Sequence, residues 1–393
     1  MRIGIDCRTI LNTYNEEMTG IGHYTYYLVK HLLSIDQENE YVLFFDNKFS
    51  QKEQFMGPKI KIVKLPFYQY KKYLPLAYSQ MLISAFFARE KLDLLHAPAN
   101  IIPLFYNWPA VVTIHDLAIY KFPEFFPGNK IIKQPLATKI LVPNTINKAK
   151  KIIAVSQNTK KDIIDIFGVP EEKIQVVYEG VISHGKNCPN QADFATVSKH
   201  YEIKEKYLLF IGSLEPRKNI INLVKAFKNY KLIEGDKTTG LQLILVGGKG
   251  WKNDKTFKVI QEANEALFAK EKDKPIKYLG YLPLAEKLSL IAHALAFIFP
   301  SFYEGFGLPV LEAFSCGCPV LASSGHSLEE VGKEAAVYFD PKNITEISKK
   351  IKDLFTSEDA RLHYIKLGFE RVKDYSWEKT ASSTGKILLG LQN

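Results

Sequence analysis

Short runs of apolar, β-forming residues alternate along this chain with longer segments of helical periodicity, and the alternation occurs twice. In the first half the runs are 2–6, 41–45, 60–65, 92–96, 110–114, 151–155 and 173–178. After a polar, irregular stretch at 184–204 they resume at 207–211, 242–246, 276–279, 296–299, 319–322 and 336–339. Strands that alternate with helices pair in parallel within doubly wound sheets. The pattern therefore predicts an α/β protein with two such sheets in succession.

The chain has 393 residues, which is too long for one ordinary core and favours two domains. We expect a first domain at 1–185, a linker at 186–206, a second domain at 207–373 and a terminal segment at 374–393. Ligands of doubly wound sheets bind beyond the carboxyl ends of the strands. Because two domains joined by a linker create a cleft, we expect the ligand between them.

Composition narrows the class of protein and its partners. With 46% hydrophobic and 24% charged residues the chain is typical of a soluble globular protein. It has no apolar run of 18 residues and begins directly with a strand, so we expect a cytoplasmic location. A net charge of +10 favours an anionic partner, such as a nucleoside diphosphate, an acidic bilayer or nucleic acid. The basic residues form no block of the kind that binds nucleic acid.

The four cysteines show no zinc spacing and are expected to be buried, reduced thiols: Cys7, Cys188, Cys316 and Cys318.

Glu304 and Glu312 lie on either side of a Gly-Phe-Gly turn in the second series. The run 294–299 predicts a buried strand, and 308–314 resumes with helical periodicity. At such a corner free amides and a helix dipole face outward from the carboxyl end of a strand. Gly305 and Gly307 allow the backbone to approach a ligand.

The spacing of these two glutamates argues against a proton-sharing pair. Eight helical residues span about 12 Å and turn a side chain by about 80°, whereas glycosidase carboxylates lie about 5 to 9.5 Å apart across one bond. Each carboxylate would instead hold a different part of one long ligand through hydroxyl groups. The alternative is two unrelated surface glutamates at a helix start, where acidic residues are favoured.

Arg217 and Lys218 follow the strand 207–211 and precede a predicted helix at 220–227. A guanidinium fork and a lysine point charge near free amides suit a diphosphate. They would also stabilise the charge that develops on a leaving nucleotide. The alternative is two exposed basic residues on a loop.

The first half offers a glycine pair and a histidine. Gly20 and Gly22 precede a helix expected from about Tyr24, and such a start can admit phosphate. The third glycine of a dinucleotide fingerprint is absent, so NAD binding is poorly supported; a hinge loop is the alternative. His115 and His96 each follow a strand, where either could serve a site or act as a structural partner.

Taken in order, these motifs resemble glycosyltransferase family 4, a family of retaining enzymes with the GT-B fold of two Rossmann-like domains. The resemblance extends over nearly the whole chain, through the segments 19–22, 114–116, 210–219, 245–248, 304–312 and the helix containing Trp377. It implies an acceptor-side domain first, a nucleotide-sugar donor domain second, and a terminal helix that crosses back to the first domain.

The resemblance also implies roles for individual residues. His115 contacts the donor sugar, with Asp116 orienting it or the acceptor, and Glu304 lies beside the transferred sugar. The implied catalytic residues are His115, Arg217, Lys218 and Glu304. The implied donor-binding residues are Gly20, Gly22, Gly212, Arg217, Lys218, Gly247, Leu282, Glu304, Gly305, Phe306, Gly307, Leu308 and Glu312.

Within that set, Gly20 and Gly22 cover the donor phosphates, Glu312 holds the ribose hydroxyls, and Gly247 and Leu282 approach the base through backbone groups. The chain has no Asp-x-Asp metal motif. We therefore expect no metal and no cofactor, with Arg217 and Lys218 taking over the electrostatic role of a metal.

The predicted function is retaining transfer of a hexose from a nucleoside diphosphate sugar to a saccharide or a lipid-linked saccharide. The run 114–124 resembles mannosyltransferases of polysaccharide biosynthesis, so GDP-mannose is preferred to UDP-glucose as donor. The alternatives are an epimerase or hydrolase of nucleotide sugars with the same fold, and a basic binding module without turnover. The Glu-x7-Glu arrangement favours transfer.

The segment 66–88 combines aromatic residues, Lys71, Lys72 and an apolar helix at 81–88. This mixture suits peripheral contact with an anionic membrane, at the inner face of the cell membrane. It suits a buried helix of the first domain equally well.

Overall fold

A computed structural model describes residues 1–10, 20–50, 52–66, 76–127, 133–183, 192–271 and 274–391. The chain divides into two compact units. The first comprises Met1–Tyr120, Gly128–Gly180 and Tyr375–Asn393, and the second comprises Lys121–Pro127 and Val181–Asp374. Each unit is built around its own parallel sheet, which confirms the predicted α/β class with two Rossmann-like units.

The sheet of the first unit has seven strands in the order β3-β2-β1-β4-β5-β6-β7. Their bounds are β1 Arg2–Asp6, β2 Glu40–Asp46, β3 Ile60–Leu65, β4 Leu94–Ala97, β5 Ala110–Ile114, β6 Lys151–Ala154 and β7 Ile174–Val176. Successive residues of β2 enter two different cores: Tyr41, Leu43 and Phe45 pack in one cluster, and Val42 and Phe44 in the other. Both faces of this sheet are therefore covered, as expected for parallel strands.

Helices cover the first sheet on both faces. They are α1 Gly20–Ile35, α2 Leu76–Arg89, the short α3 Ala118–Lys121, α4 Lys133–Lys148 and α5 Gln157–Phe167. Short 3₁₀ turns lie at Lys52–Phe55 and Glu171–Lys173. Ser156 caps α5 by accepting a hydrogen bond from the amide of Thr159, and Gly168 ends that helix at a φ of 64°.

The second unit contains a six-stranded sheet in the order β10-β9-β8-β11-β12-β13. The strands are β8 Tyr207–Ile211, β9 Gln242–Val246, β10 Ile276–Gly280, β11 Ala296–Phe299, β12 Val320–Ser323 and β13 Ala336–Phe339. All residues of β8, β9, β11 and β12 are buried. The carboxyl ends of the neighbouring strands β8 and β11 lead into the segments that carry the predicted site.

The helices of the second unit are α6 Phe194–Tyr201, α7 Ile220–Glu234, α8 Asp254–Glu271, α9 Leu284–His293, α10 Leu308–Ser315, α11 His326–Gly332, α12 Ile344–Thr356 and α13 Glu358–Val372. Its 3₁₀ turns are Pro123–Phe125, Pro216–Lys218, Gly235–Thr238 and Lys333–Ala335. The last helix of the chain, α14 Trp377–Leu389, belongs to the first unit.

Each predicted strand is present, with ends within two residues of the prediction. Two helix limits are wrong. Helix α1 begins at Gly20 rather than near Tyr24, because glycines carry no side chain to show the period. Helix α7 continues beyond Phe227 to Glu234 because Lys231 is buried and its ammonium donates to the carbonyls of Thr238 and Leu241, at 2.9 and 2.8 Å.

The region predicted as a linker at 186–206 contains helix α6. This helix begins where the carboxylate of Asp193 accepts a hydrogen bond from the amide of Thr196 at 2.8 Å. Residues 186–191 lie outside the described part of the chain. The compact second unit starts at Val181, upstream of the predicted boundary, and includes the seven residues 121–127 as well.

Three cysteines, Cys7, Cys316 and Cys318, are buried free thiols, as predicted. Burial raises the pKa of the Cys7 and Cys318 thiols well above the ordinary value. Cys188 lies outside the described residues. Within the described ranges, no helix has the length and apolar character needed to cross a membrane.

Candidate active site

The turn between β11 and α10 carries Glu304. At its end Gly307 has a φ of 113°, and a Cβ at this position would lie 2.6 Å from Cδ2 of Leu328. The positive φ strongly favours glycine there, and a Cβ would also force the side chain of Leu328 to shift. The hydroxyl of Ser327 donates to the carbonyl oxygen of Glu304 at 2.8 Å. The turn is thus held to the beginning of α11, and Glu304 lies beyond the carboxyl end of its strand.

The carboxylate of Glu304 contacts both predicted cations. Nζ of Lys218 lies 2.6 Å from Oε1, and Nη1 of Arg217 lies 3.0 Å from Oε2. Glu304 is 7% exposed and Lys218 is 8% exposed. Burial raises the pKa of Glu304, but the charges of Lys218 and Arg217 and the hydrogen bond from Lys218 outweigh this effect and leave the pKa below the ordinary value. The carboxyl group is therefore ionised at neutral pH.

Asn219 positions the two cations by joining the ends of neighbouring strands. It adopts a φ of 57° directly after the turn Pro216–Lys218. Its side-chain amide donates to the carbonyls of Pro300 and Pro341, at 3.0 and 2.7 Å. The amide of Phe302 in turn donates to the carbonyl of Arg217 at 2.9 Å. Because β8 and β11 are adjacent, these bonds bring segments almost ninety residues apart into one cluster.

A second carboxylate completes this cluster. Nε and Nη2 of Arg217 lie 3.0 and 2.9 Å from Oε1 of the buried Glu215, and Nη1 donates to the carbonyl of Tyr303 at 2.9 Å. We call Glu215, Arg217, Lys218 and Glu304 the ion cluster. Its two acids and two bases carry no net formal charge. A diphosphate would meet a balanced cluster here rather than the two isolated cations expected from the sequence.

Glu312 takes part in a separate ion pair. Its carboxylate on α10 lies 2.9 Å from Nζ of Lys287 on α9. Both side chains are partly exposed, at 16% for Glu312 and 20% for Lys287. Glu304 and Glu312 thus contact different cations.

The other predicted residues of the second unit follow strand ends. Gly247, after β9, has a φ of 131°, and a Cβ there would lie 2.2 Å from the carbonyl oxygen of Gly212. The phenol of Tyr278 donates to the carbonyl of Gly247 at 2.8 Å. Leu282 and Phe306 have buried side chains, so their backbone is the part that could face a ligand. Gly305 and Leu308 lie in the turn and at the start of α10.

In the first unit, His115 lies immediately after β5 and is 8% exposed. Its Nδ1 lies 3.1 Å from Oε1 of Glu179, and its Nε2 lies 2.8 Å from the carbonyl oxygen of Pro98. Its amide donates to Oδ1 of Asn100 at 2.7 Å. The ring of Tyr24 meets the imidazole edge-on, with 4.6 Å between centroids. These contacts hold the ring on both sides.

His96 is a structural residue rather than a site residue. It is fully buried, and its Nε2 lies 3.0 Å from the hydroxyl oxygen of Thr113. Burial, and then the charge of His115, lower its pKa to about 3. A histidine in this environment stays neutral. Asp116 accepts a hydrogen bond from the amide of Ala118 at 3.1 Å, at the start of α3.

Gly20 and Gly22 both lie in the first turn of α1. Gly20 is exposed, and a Cβ there would meet no atom within 4 Å, whereas Gly22 is buried. Thr19 of the same motif lies outside the described residues. Tyr24, which contacts the ring of His115, is four residues after Gly20 on the same helix.

Four residues of these clusters were not identified from the sequence: Glu179, Glu215, Asn219 and Lys287. Glu215 and Asn219 lie within the quoted segment 210–219, and Glu179 follows β7, so the rule that ligands lie at carboxyl ends of strands could have found them. Lys287 reaches Glu312 from another helix, and no local pattern signals that contact. No group of three or more His, Cys, Asp or Glu side chains is arranged to hold a metal ion among the described residues.

Two doubly wound parallel sheets, with charged side chains beyond the carboxyl ends of their strands, define a class of nucleotide-binding α/β proteins. Within it, residues 18–183 match the family model described as Glycosyltransferase Family 4, and residues 193–371 match that of Glycosyl transferases group 1. The chain therefore belongs to the glycosyltransferases, with a family 4 domain followed by a group 1 domain.

Individual proteins agree with this assignment. The O-antigen chain mannosyltransferase B of Escherichia coli is 33% identical over 276 residues, which are 70% of this chain and 68% of that protein. A sucrose-phosphate synthase from Thermosynechococcus elongatus has the same fold, with a TM-score of 0.75 and 18% identity over 100% of this chain and 99% of its own. Anabaena HepE in complex with UDP and glucose matches with a TM-score of 0.71 and 17% identity over 100% of both chains. The predicted GT-B fold and glycosyltransferase function are confirmed.

Proposed function

We propose that this glycosyltransferase transfers mannose, with retention at the anomeric carbon, from GDP-mannose to a saccharide or lipid-linked saccharide in polysaccharide biosynthesis. One observation carries the proposal. The ion cluster lies beyond the carboxyl ends of two adjacent strands, next to the glycine-containing turn that leads into α10. Cations and acids that lie side by side suit the phosphates and the hydroxyl groups of one nucleotide sugar.

The roles follow from the chemistry of each group. Arg217 and Lys218 would bind the diphosphate and stabilise its charge as the bond to the sugar breaks, without a metal ion. Glu304 would then exchange part of its contact with these cations for a hydroxyl of the transferred sugar. Glu312, held by Lys287, would accept hydrogen bonds from the ribose.

The remaining predicted residues would contact the donor mainly through their backbone. In the second unit these are Gly212, Gly247, Leu282, Gly305, Phe306, Gly307 and Leu308. In the first unit we propose that Gly20 and Gly22 contact the phosphates and that His115 contacts the sugar.

Mannose is the preferred sugar because the relative that is 33% identical is named a mannosyltransferase of an O-antigen chain. UDP-glucose is the second donor to test, because HepE is described with UDP and glucose. A screen compares thermal stabilisation by GDP-mannose and UDP-glucose. At equal concentration, the donor that binds more tightly should raise the melting temperature more.

Turnover decides between transfer and the alternatives. Nucleotide release from GDP-mannose should need an oligosaccharide acceptor, and should continue in the presence of EDTA. Release without acceptor would support a hydrolase, and conversion of the sugar without release would support an epimerase. Salt-sensitive oligonucleotide binding with no nucleotide release would support a basic binding module.

We further propose a cytoplasmic enzyme that contacts the anionic inner face of the cell membrane through α2. One face of this helix buries Ile83 and Phe87 in the core, while Tyr78, Met81 and Leu82 are 58%, 50% and 45% exposed. Lys71 and Lys72 precede this helix in the sequence and lie outside the described residues. An exposed apolar helix face on a chain of net charge +10 suits an anionic bilayer.

Vesicle flotation tests this contact. Wild type should float with vesicles that contain anionic lipid, and M81E/L82E should not. The matched control is L362E, since Leu362 is also exposed but lies on α13 of the second unit. Equal flotation of all three proteins would exclude α2 as the contact.

A further inference from the structure

A cavity of about 320 Å³, which we call the amino-edge cavity, lies in the first unit at the amino ends of two neighbouring strands. Its lining residues are Ala88, Lys91, Leu92, Tyr106 and Trp108. Leu92 comes two residues before β4 and Trp108 two residues before β5, whereas His115 follows the carboxyl end of β5. Five residues of strand span about 16 Å. The cavity therefore lies at the opposite edge of the sheet from His115.

Two of the lining side chains are aromatic. Trp108 is 51% exposed, and its ring centroid lies 5.4 Å from that of Tyr106, with 49° between the ring planes. Tyr106 is only 2% exposed and packs against Phe87 of the core, with 6.0 Å between centroids. A buried ring thus supports an exposed one, and much of the indole surface is left for a ligand.

Three polar groups of the lining residues have no partner among the described residues. The indole Nε1 of Trp108, the hydroxyl of Tyr106 and the ammonium of Lys91 make no hydrogen bond or ion pair with that part of the chain. Burial raises the pKa of Tyr106, so the phenol keeps its proton at neutral pH and can donate. Because a nearly buried hydroxyl without a partner is costly, a ligand that supplies an acceptor is favoured here.

The chain on both sides of the cavity is held in place. Nζ of Lys148 on α4 donates to Oδ1 of Asn107 at 3.2 Å, which fixes the loop before Trp108. The amide of Lys91 donates to the carbonyl of Ala88 at 3.2 Å, and Lys91 has a φ of 50°. A lysine in this left-handed region is uncommon, and backbone of this kind clusters at ligand-binding sites.

These features together indicate the chemistry of the ligand. One face of a pyranose ring presents mainly C–H groups and packs on an aromatic ring, while its hydroxyl oxygens accept hydrogen bonds. An acyl chain would leave the three donors without acceptors, and an inorganic anion would leave the indole uncovered. The volume is within the range of small-molecule sites, about 300 to 1,000 Å³. We propose that the amino-edge cavity binds a saccharide.

The role of this saccharide in turnover rests on the proposed function. Since the cavity lies at the opposite edge of the sheet from His115, the sugar bound there is not the one that reacts. It is a part of the acceptor several sugars away from the hydroxyl that is glycosylated. A long acceptor would thus have a second attachment point on the enzyme, which raises its effective concentration at the active site.

Binding is measured without donor, by isothermal titration calorimetry with mannohexaose and with maltohexaose. Wild type should bind at least one of them. Trp108→Ala should weaken that binding at least about tenfold, because it removes the ring on which the sugar packs. Tyr106→Phe, which removes only a hydroxyl, should weaken it about three- to tenfold. The matched control is Phe268→Ala, since Phe268 is similarly exposed, at 53%, but lies on α8 of the second unit.

Binding of neither oligosaccharide by wild type would overturn the proposal. Equal binding by wild type and Trp108→Ala would overturn it as well, since the saccharide would then be held elsewhere. The competing interpretation of an exposed indole beside α2 is contact with a membrane. Vesicles of brominated anionic lipid that quench the fluorescence of wild type but not of Trp108→Ala, without any saccharide binding, would replace the proposal by that interpretation.

Kinetics separate this proposal from the proposed function. With GDP-mannose as donor, wild type should have a lower KM for mannohexaose than for mannobiose, and Trp108→Ala should lose most of this difference. Absence of transfer by wild type would contradict the proposed function, while the binding data still decide whether the cavity takes a saccharide. Normal transfer together with equal binding by wild type and Trp108→Ala would contradict the saccharide site and leave the proposed function intact.

Discussion

The two units balance their buried charges in different ways. In the first, one histidine is held by one carboxylate and one carbonyl. In the second, two acids and two bases surround each other within 3.0 Å. Removing a partner has different consequences: in the first unit it frees one side of a ring, whereas in the second it leaves a charged group without its counter-ion. The second unit thus holds four charged groups against one another, whereas the first holds a single ring between a carboxylate and a backbone carbonyl.

The largest expected effect tests the ion cluster. Lys218→Ala and Glu304→Gln should each lower kcat by at least about a hundredfold, the scale of losing one contact to a transition state. Single-turnover assays with GDP-mannose measure this loss. Lys352→Ala is the control, because Lys352 pairs with Glu234 at 2.6 Å and is 48% exposed. Near-normal transfer by both variants would show that the ion cluster is not part of the catalytic site.

A second prediction compares the glycines of the two units. Gly247→Ala should lower the free energy of unfolding by about 2 kcal/mol, since alanine would have to adopt a φ of 131° beside the carbonyl of Gly212. Gly20→Ala should be neutral or stabilising by less than about 1 kcal/mol, because its Cβ would face open space in a helix. Urea denaturation measures both. Equal changes in the free energy of unfolding would mean that Gly247 is not closely packed against Gly212.

A smaller effect is expected at the partly exposed pair on α9 and α10. Lys287→Met should raise KM for the nucleotide sugar about fivefold with little change in kcat, since exposed ion pairs contribute up to about 1 kcal/mol. The affinity for GDP should also be compared with that for its 2′,3′-dideoxyribose analogue, which lacks the ribose hydroxyls. Wild type should bind GDP more tightly than the analogue, and Lys287→Met should lose much of this difference. An unchanged difference between the two ligands would show that Lys287 has no role in ribose binding.

The last prediction concerns pH. The folded-state pKa of Glu304 is depressed, so its contribution to stability is present above the pKa of an unfolded glutamate, about 4.3. It is lost as the pH falls through the lower folded-state value. The stability difference between wild type and Glu304→Gln should therefore be constant from pH 7 to about 5 and decrease below that. A difference that grows on acidification would contradict the assigned direction.

Much of the site could be predicted because its residues follow strands. His115, Arg217 and Glu304 were each identified from an apolar run that ends just before them. Local patterns did not show the counter-ions. Glu215 was not predicted as a site residue, although it lies two positions before Arg217. Lys287 contacts Glu312 from 25 positions away in the chain. The predicted start of α1 was wrong because Gly20 and Gly22 contribute nothing to a hydrophobic period.

The sequence alone determined the two parallel sheets, the approximate position of each strand that the structure describes, and the family, since these depend on periodicity and on short motifs that are local in the chain. The tertiary structure alone decided which charges meet. Coulombic and hydrogen-bond partners such as Glu179 with His115, or Glu304 with Lys218, come from segments that are 64 and 86 positions apart. Whether such groups lie at 3 Å or at 30 Å depends on how strands are ordered within a sheet, and no local pattern contains that information.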